Sequence, residues 1–190
     1  MPNLILVRHS QSQPDPKIPS RLWSLTVEGQ RHCEPLAELL IPYNLDVIVT
    51  STEPKAIQTG ELVAQRLEVS CRIMKNLHEH ARETAPYFGT RKEFLEAVAT
   101  FFARPAELVF GDETALEARD RFTEAVKSVI AAHPKENIAI VTHGTVLSLF
   151  ASQHTGQESY SIWQNLGMPA VIAFSYPNIK LLAQVNEITC

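Results

Sequence analysis

Residues 4–10 read Leu4-Ile5-Leu6-Val7-Arg8-His9-Ser10, a four-residue apolar run that ends on a cation and an imidazole. A short apolar run bounded by polar residues suits a strand buried on both faces, as in the middle of a parallel sheet. Asp46-Val47-Ile48-Val49-Thr50 and Ile138-Ala139-Ile140-Val141-Thr142 repeat the pattern. Ser70 to Met74, Ala170 to Tyr176 and Ile179 to Val185 are weaker strand candidates. Pro177-Asn178 predicts a tight turn between the last two, and so a terminal hairpin.

Helical periodicity fills the intervals. Cys33, Leu36, Ala37 and Leu40 fall at i, i+3, i+4 and i+7 ahead of Pro42. Ala56, Gly60, Val63, Ala64 and Leu67 follow Pro54, a residue suited to a first helical turn. Phe122, Ala125, Val126, Val129 and Ile130 mark a third, long helix that ends before Pro134, and Gly144 to Ser152 starts a fourth directly after a strand. Strands alternating with helices at this spacing predict a three-layer α/β/α domain with a mostly parallel central sheet. Two segments break the alternation. Residues 11–24 hold Pro14, Pro16 and Pro19 and read as an ordered loop. Residues 78–113 hold Tyr87 and five of the eight phenylalanines, and read as a small, partly helical lid over one end of the sheet within a single domain spanning 1–190. The same aromatics could equally belong to the core.

The 190 residues are enough for one substantial core, and 45% hydrophobic with 20% charged residues is an ordinary globular composition. With 17 Lys+Arg against 21 Asp+Glu the net charge is −4, which argues against nucleic acid or an anionic membrane surface as partner. It does not argue against one small anion. Cys33, Cys71 and Cys190 are odd in number and widely spaced, so neither a zinc ribbon nor a disulfide framework is expected. The apolar run before Arg8 is too short for a signal peptide and lacks its basic start, which makes a reducing cytoplasm the expected setting.

In open α/β sheets ligands bind beyond the carboxyl ends of the strands. There the sequence places Arg8-His9-Ser10, Ser51 with Lys55 soon after, and His143-Gly144-Thr145. Cations and imidazoles from distant parts of the chain would meet beside helix N-termini, which predicts an anion site, with phosphate as the anion. One imidazole can attack phosphorus and divide a hard displacement into two easier ones, while the other, with Arg8 and Lys55, stabilises the moving phosphoryl group. A leaving alkoxide needs a proton, and Glu79 is the best-placed donor, ahead of Glu83; a bound phosphate dianion should raise its pKa. His78 and His80 lack a third metal ligand and are expected to contact substrate or solvent, so no metal site is expected. His32, His133 and His154 read as surface residues, and the cysteines as buried or terminal bystanders.

Leu-Val-Arg8-His9-Ser10 resembles the Arg-His-Gly signature of the histidine phosphatase superfamily, the phosphoglycerate mutase-like proteins. The resemblance continues in order through Leu25-Thr26-Val27-Glu28-Gly29, Thr50-Ser51-Thr52-Glu53-Pro54-Lys55-Ala56-Ile57-Gln58-Thr59, Leu77-His78-Glu79, Gly111-Asp112-Glu113-Thr114 and Val141-Thr142-His143-Gly144. It implies that His9 is the phosphorylated nucleophile and Arg8 a phosphate ligand. It implies that His143 is the second imidazole, Glu79 the proton donor, and Lys55 and Gly144 part of the phosphate site. Gly144 stands where the acid phosphatase and phytase branch carries Asp, so the chain resembles the mutase-like branch. No metal or organic cofactor is implied. Three positions depart from the pattern. Lys55 replaces the usual Arg, keeping the charge but losing the planar fork. Ser10 replaces Gly, which is expected to put a side chain beside the nucleophile, and Asp15 stands where many relatives carry Asn.

The expected activity is hydrolysis of phosphate monoesters on a small substrate or a phosphoprotein. The alternatives are mutase-type phosphoryl transfer, disfavoured by the short span from Glu79 to Gly111, and a relative that binds a phospho-ligand without turning it over. The substrate and the oligomeric state are left open by the sequence.

Overall fold

The computed structural model describes residues 1–85 and 87–189, so Cys190 lies outside the described residues. The 4–10 stretch forms β1 (Asn3–Arg8) in the interior of a mixed sheet. Its other strands are β2 (Val47–Thr50), β3 (Ser70–Ile73), β4 (Ile138–Thr142), β5 (Ala170–Ser175) and β6 (Lys180–Val185). The order is β3-β2-β4-β1-β5-β6, with the first four strands parallel and β5 and β6 antiparallel at one edge. The terminal hairpin is therefore present, joined by a turn over residues 176–179.

The alternation of side chains along each strand divides the core in two. Leu4 and Leu6, Val47 and Val49, Ile138 and Ile140, and Ile172 and Phe174 point to one face; Ile5, Val7, Ile48, Ala139 and Val141 point to the other. The second face is covered by α2 (Cys33–Leu40) through Leu36, Ala37 and Leu40, and by α3 (Pro54–Leu67) through Ala56, Val63 and Ala64. On the first face lie α5 (Ala115–Ala132) and α6 (Gly144–Thr155), which bring Phe122, Val126, Leu147 and Phe150 to the sheet. This is the three-layer α/β/α arrangement that the alternation of patterns predicts. A central strand must bury both faces, so β1 carries no polar residue between Asn3 and Arg8, and β4 none before Thr142.

Three helices lack a strong periodic signal. α1 (Val27–Arg31) is a single turn capped by Thr26, whose side chain accepts the N–H of Gly29. α4 (Arg91–Ala103) starts in a capping box of Thr90 and Glu93, as α5 does with Thr114 and Glu117. α7 (Ser159–Asn165) is short and packs against α6. Of the aromatics of 78–113, Phe101 and Phe102 are buried in the core, Phe110 packs at a tilt on Phe101, Phe88 meets Phe94 and Phe110 edge to face, and Tyr87 is exposed. Two exposure expectations fail here. His80, expected to contact substrate or solvent, is not exposed, though it lines the cleft described below: its ring sits 4.2 Å from Phe101 and 4.8 Å from Phe110, with Nε2 on the carbonyl of Glu113. His133 is also buried, its Nδ1 2.8 Å from Glu136.

Candidate active site

Arg8 and His9 leave β1, Ser51 leaves β2 and His143 leaves β4, all at the carboxyl edge of the sheet. Neighbouring parallel strands in register place these exits side by side: Arg8 pairs with Thr142, and Thr50 with Val141. His9 and His143 meet edge to face, with ring centroids 5.1 Å apart and planes at 61°. His9 Nδ1 is 2.7 Å from the carbonyl oxygen of Ser10. A carbonyl can only accept, so Nδ1 carries the proton and Nε2 keeps its lone pair. His143 Nε2 bonds to Ser51 Oγ at 2.7 Å. Burial above all holds both imidazoles well below the ordinary histidine range; His143, Lys55 and Arg8 add to the effect on His9, and Lys55 to that on His143. Both rings are neutral at pH 7.

Lys55, on the first turn of α3, is buried rather than solvated. Its Nζ donates to the carbonyl of Ser20 at 2.7 Å and lies 6.0 Å from the ring centre of Trp23. The proline-rich loop is thus ordered by use: Trp23 Nε1 donates to Asp15 O, a short 3-10 turn follows over Ser20–Leu22, and Ser20 then meets Lys55. Lys55 Nζ also stands 2.7 Å from Glu53 Oε2, a contact without good hydrogen-bond alignment. Arg8 donates through Nη1 to the carbonyl of Leu166, while its Nε is buried without a partner among the described residues. Gly144 leaves room for that guanidinium, since a Cβ there would come within 3.0 Å of Arg8 Cζ and Nε.

Glu79 reaches the same place from the 74–81 loop. Its carboxylate accepts the N–H groups of His80 at 2.9 Å, Thr145 at 3.2 Å and Val146 at 3.4 Å. The free amides of the first turn of α6 are therefore bonded to an acid of the chain itself. Burial pushes the Glu79 carboxyl up, but His143, Arg82 and the amide bonds outweigh it, so Glu79 lies below its ordinary value. The rise expected beside a phosphate dianion starts from an ionised group. Glu83 instead pairs with Arg21 at 2.9 Å on the exposed rim.

Of the three departures from the family pattern, Ser10 and Asp15 turn away from the imidazoles, whereas Lys55 acts on both. Ser10 Oγ donates to Gly29 O at 2.6 Å and its N–H donates to Thr59 Oγ1, so no hydroxyl stands beside His9. Asp15 folds back on the N–H of Lys17. A cleft of about 370 Å³ opens onto Glu53 and Glu79, with Ser20, His78, His80 and Arg82 also in its lining; His9, His143, Arg8 and Lys55 lie beneath those two acids and do not line it. Arg82 faces the cleft with its guanidinium 5.4 Å from the Phe94 ring, whereas Arg91 lies in a separate shallow depression beside Tyr160.

Two residues that sequence reading assigned no role hold this arrangement. Glu53 Oε1 accepts the N–H of Glu79 at 2.9 Å and lies 3.5 Å from His143 Nε2. Arg121, on α5, donates to the carbonyls of Asn76, His78 and Glu79 and forks onto Glu113 at 3.0 and 2.5 Å. Glu113 in turn accepts the N–H of Ala81. Among the described residues no group of three or more His, Cys, Asp or Glu is placed to hold a metal ion, and no helix is long and apolar enough to cross a membrane.

A mixed six-stranded sheet with two facing histidines at its carboxyl edge defines a class of α/β protein. Residues 4–176 match the histidine phosphatase superfamily (branch 1), and the chain belongs to that superfamily. Its fold is shared with YhfR of Bacillus stearothermophilus, at 21% identity and a TM-score of 0.77 over 100% of this chain and 98% of that one. It is shared also with a mycobacterial glucosyl-3-phosphoglycerate phosphatase solved with inorganic phosphate, at 18% identity and a TM-score of 0.74 over 99% and 98%. A phosphoserine phosphatase from Entamoeba histolytica, solved with 3-phosphoglyceric acid, matches at 16% identity and a TM-score of 0.73 over 100% and 98%. No protein of curated function matches the sequence.

Proposed function

We propose that the chain is a phosphatase that hydrolyses phosphate monoesters of small molecules through a phosphohistidine on His9. The observation that carries this reading is the bond from His9 Nδ1 to Ser10 O, which fixes the tautomer with a free Nε2 beside His143. Membership of the superfamily and the phosphatases among the similar structures support it.

In the first step His9 Nε2 attacks phosphorus, the bond to the ester oxygen breaks, and the leaving alkoxide takes the proton from Glu79. Arg8, Lys55 and His143 stabilise the charge on the phosphoryl oxygens. Glu79 is an anion in the free site, so the substrate brings the proton: the ester enters as its monoanion and passes its P–O–H proton to Glu79, whose affinity for it is raised by the phosphoryl dianion that results. In the second step Glu79, now a carboxylate, takes a proton from water as the water oxygen attacks phosphorus and the N–P bond breaks. Free imidazole and protonated Glu79 result, and the departing phosphate takes that proton with it, which returns Glu79 to the carboxylate of the free site with no other reactant needed.

The test is turnover of p-nitrophenyl phosphate with acid-quenched trapping of an acid-labile, base-stable phosphoenzyme. Wild type is expected to turn over and to trap label, and His9→Ala to do neither. A wild type inert to a broad panel of phosphate esters overturns the reading.

A further inference from the structure

Glu53 places a carboxylate where the proposed reaction needs positive charge. It is the N-cap residue of α3, two positions before Lys55, and the two side chains are only 7% and 6% exposed. One carboxylate oxygen is 2.7 Å from Lys55 Nζ; the other is held by the N–H of Glu79 and lies 3.5 Å from His143. With both histidines neutral, the two inner cations Arg8 and Lys55 face two anions, Glu53 and Glu79, and Arg82 on the cleft wall is the further cation that acts on Glu79. Glu53 thus offsets one of the positive charges that a phosphoryl dianion would meet. Lys55 Nζ gives one N–H to Ser20 O and stands at ion-pair distance from Glu53 without a hydrogen bond to it.

We infer that Glu53 is a resident anion of the site that competes with the phosphoryl group for Lys55, and so sets how tightly phosphate is held. The Lys55–Glu53 contact lacks hydrogen-bond alignment, whereas the Lys55–Ser20 bond is well formed. Lys55 can thus swing from Glu53 to a phosphoryl oxygen while keeping its anchor on Ser20. The inference rests on the phosphate reading of the site, and it opposes the simpler role in which Glu53 only steadies Lys55. The two roles differ in sign. A positioning residue weakens phosphate binding when it is removed; a competitor strengthens it.

Glu53→Gln keeps the shape and an acceptor for the Glu79 N–H but removes the charge. Calorimetric titration with inorganic phosphate is expected to give binding at least about tenfold tighter in Glu53→Gln than in wild type, given the size of a charge interaction at such short range. Equal or weaker binding by the variant overturns the inference and leaves the phosphate reading standing. No binding by either protein overturns both. Glu53→Gln leaves Lys55 buried without its acid, so a measurement on the wild type guards against a misfolded variant. The side-chain ¹⁵N resonance of Lys55, assigned with Lys55→Arg, is expected to shift as phosphate is added. A Lys55 signal unmoved at saturating phosphate overturns the inference.

Discussion

The carboxylate of Glu79 accepts the N–H of Thr145 at 3.2 Å, so an acid from the 74–81 loop closes the first turn of the helix that follows His143. That bond ties the proposed proton donor to the second imidazole through one rigid element. Glu79→Gln keeps an acceptor for α6 but has no proton to give in the first step. The expected loss in kcat is about 10²- to 10⁴-fold on alkyl phosphates, the range of general acid catalysis. On p-nitrophenyl phosphate, whose leaving group needs little protonation, the loss in the first step is expected to be much smaller. Burst kinetics on the two substrate types check this, and an equal loss in the rate of phosphoenzyme formation on both contradicts the assignment.

Stability is expected to fall on mild acidification. His9 and His143 are held well below the ordinary histidine value of 6.5, chiefly by burial. Above that value neither ring is charged in the folded or the unfolded chain. Below it the unfolded chain binds protons that the folded one refuses, so each ring costs up to about 1.4 kcal/mol per pH unit until its lowered value is reached. Glu79 acts in a lower window: its carboxyl is below 4.5, so the stability it contributes is lost as pH falls through that lowered value. Urea denaturation from pH 7.5 to 5.0 measures the upper window. His143→Gln should reduce the slope by roughly one ring's share, and an unchanged slope would show that His143 is not the buried neutral group described.

The parts of this site that follow a strand were legible in the sequence. Arg8, His9 and His143 each come directly after an apolar run, and position at a strand end is a local property. Lys55 and Glu79 needed the family pattern as well. Glu53 was not legible, because its partners are a lysine two residues on, an amide 26 residues away and a histidine 90 residues away, and no spacing encodes that meeting. Arg121 is a similar case: a charged residue on an amphipathic helix reads as solvated until the carbonyls it reaches, 42 to 45 residues back, are known. Solvent contact failed for His80 because Phe101, on α4, and Phe110, beyond the end of that helix, close over its ring.

Arg121 and Glu113 make a further prediction. Their side chains are 17% and 13% exposed, and together they bond to the backbone of Asn76, His78, Glu79 and Ala81. Breaking a largely buried pair by removing one partner costs about 3–5 kcal/mol. Arg121→Met is expected to lose stability of that order. Once folded at low temperature, it should lose kcat on alkyl phosphates far more than on p-nitrophenyl phosphate, the same leaving-group signature as Glu79→Gln. Arg121→Lys, with three donors on one nitrogen in place of the wide planar fork, should recover part of both. A stability loss without the leaving-group signature would mean that the pair supports the fold and not the placement of Glu79.

Two glycines separate packing from chemistry. At Gly29, on α1, a Cβ would stand 2.1 Å from the backbone oxygen of Gln11, an atom that cannot retreat while it accepts the N–H of Thr26. At Gly144 a Cβ would stand 3.0 Å from the Arg8 guanidinium, the far end of a flexible side chain that can move by a few tenths of an ångström. Gly29→Ala therefore forces backbone apart and is expected to cost more stability than Gly144→Ala, at the upper end of the roughly 1–3 kcal/mol typical of overpacking. Gly144→Ala is expected to spare the fold but to push Arg8 from its seat on Leu166 O, weakening phosphate binding several-fold. Thermal melts and phosphate titrations of the two variants decide it. If Gly144→Ala binds phosphate as wild type does, the Arg8 guanidinium is not a phosphate ligand in the position described.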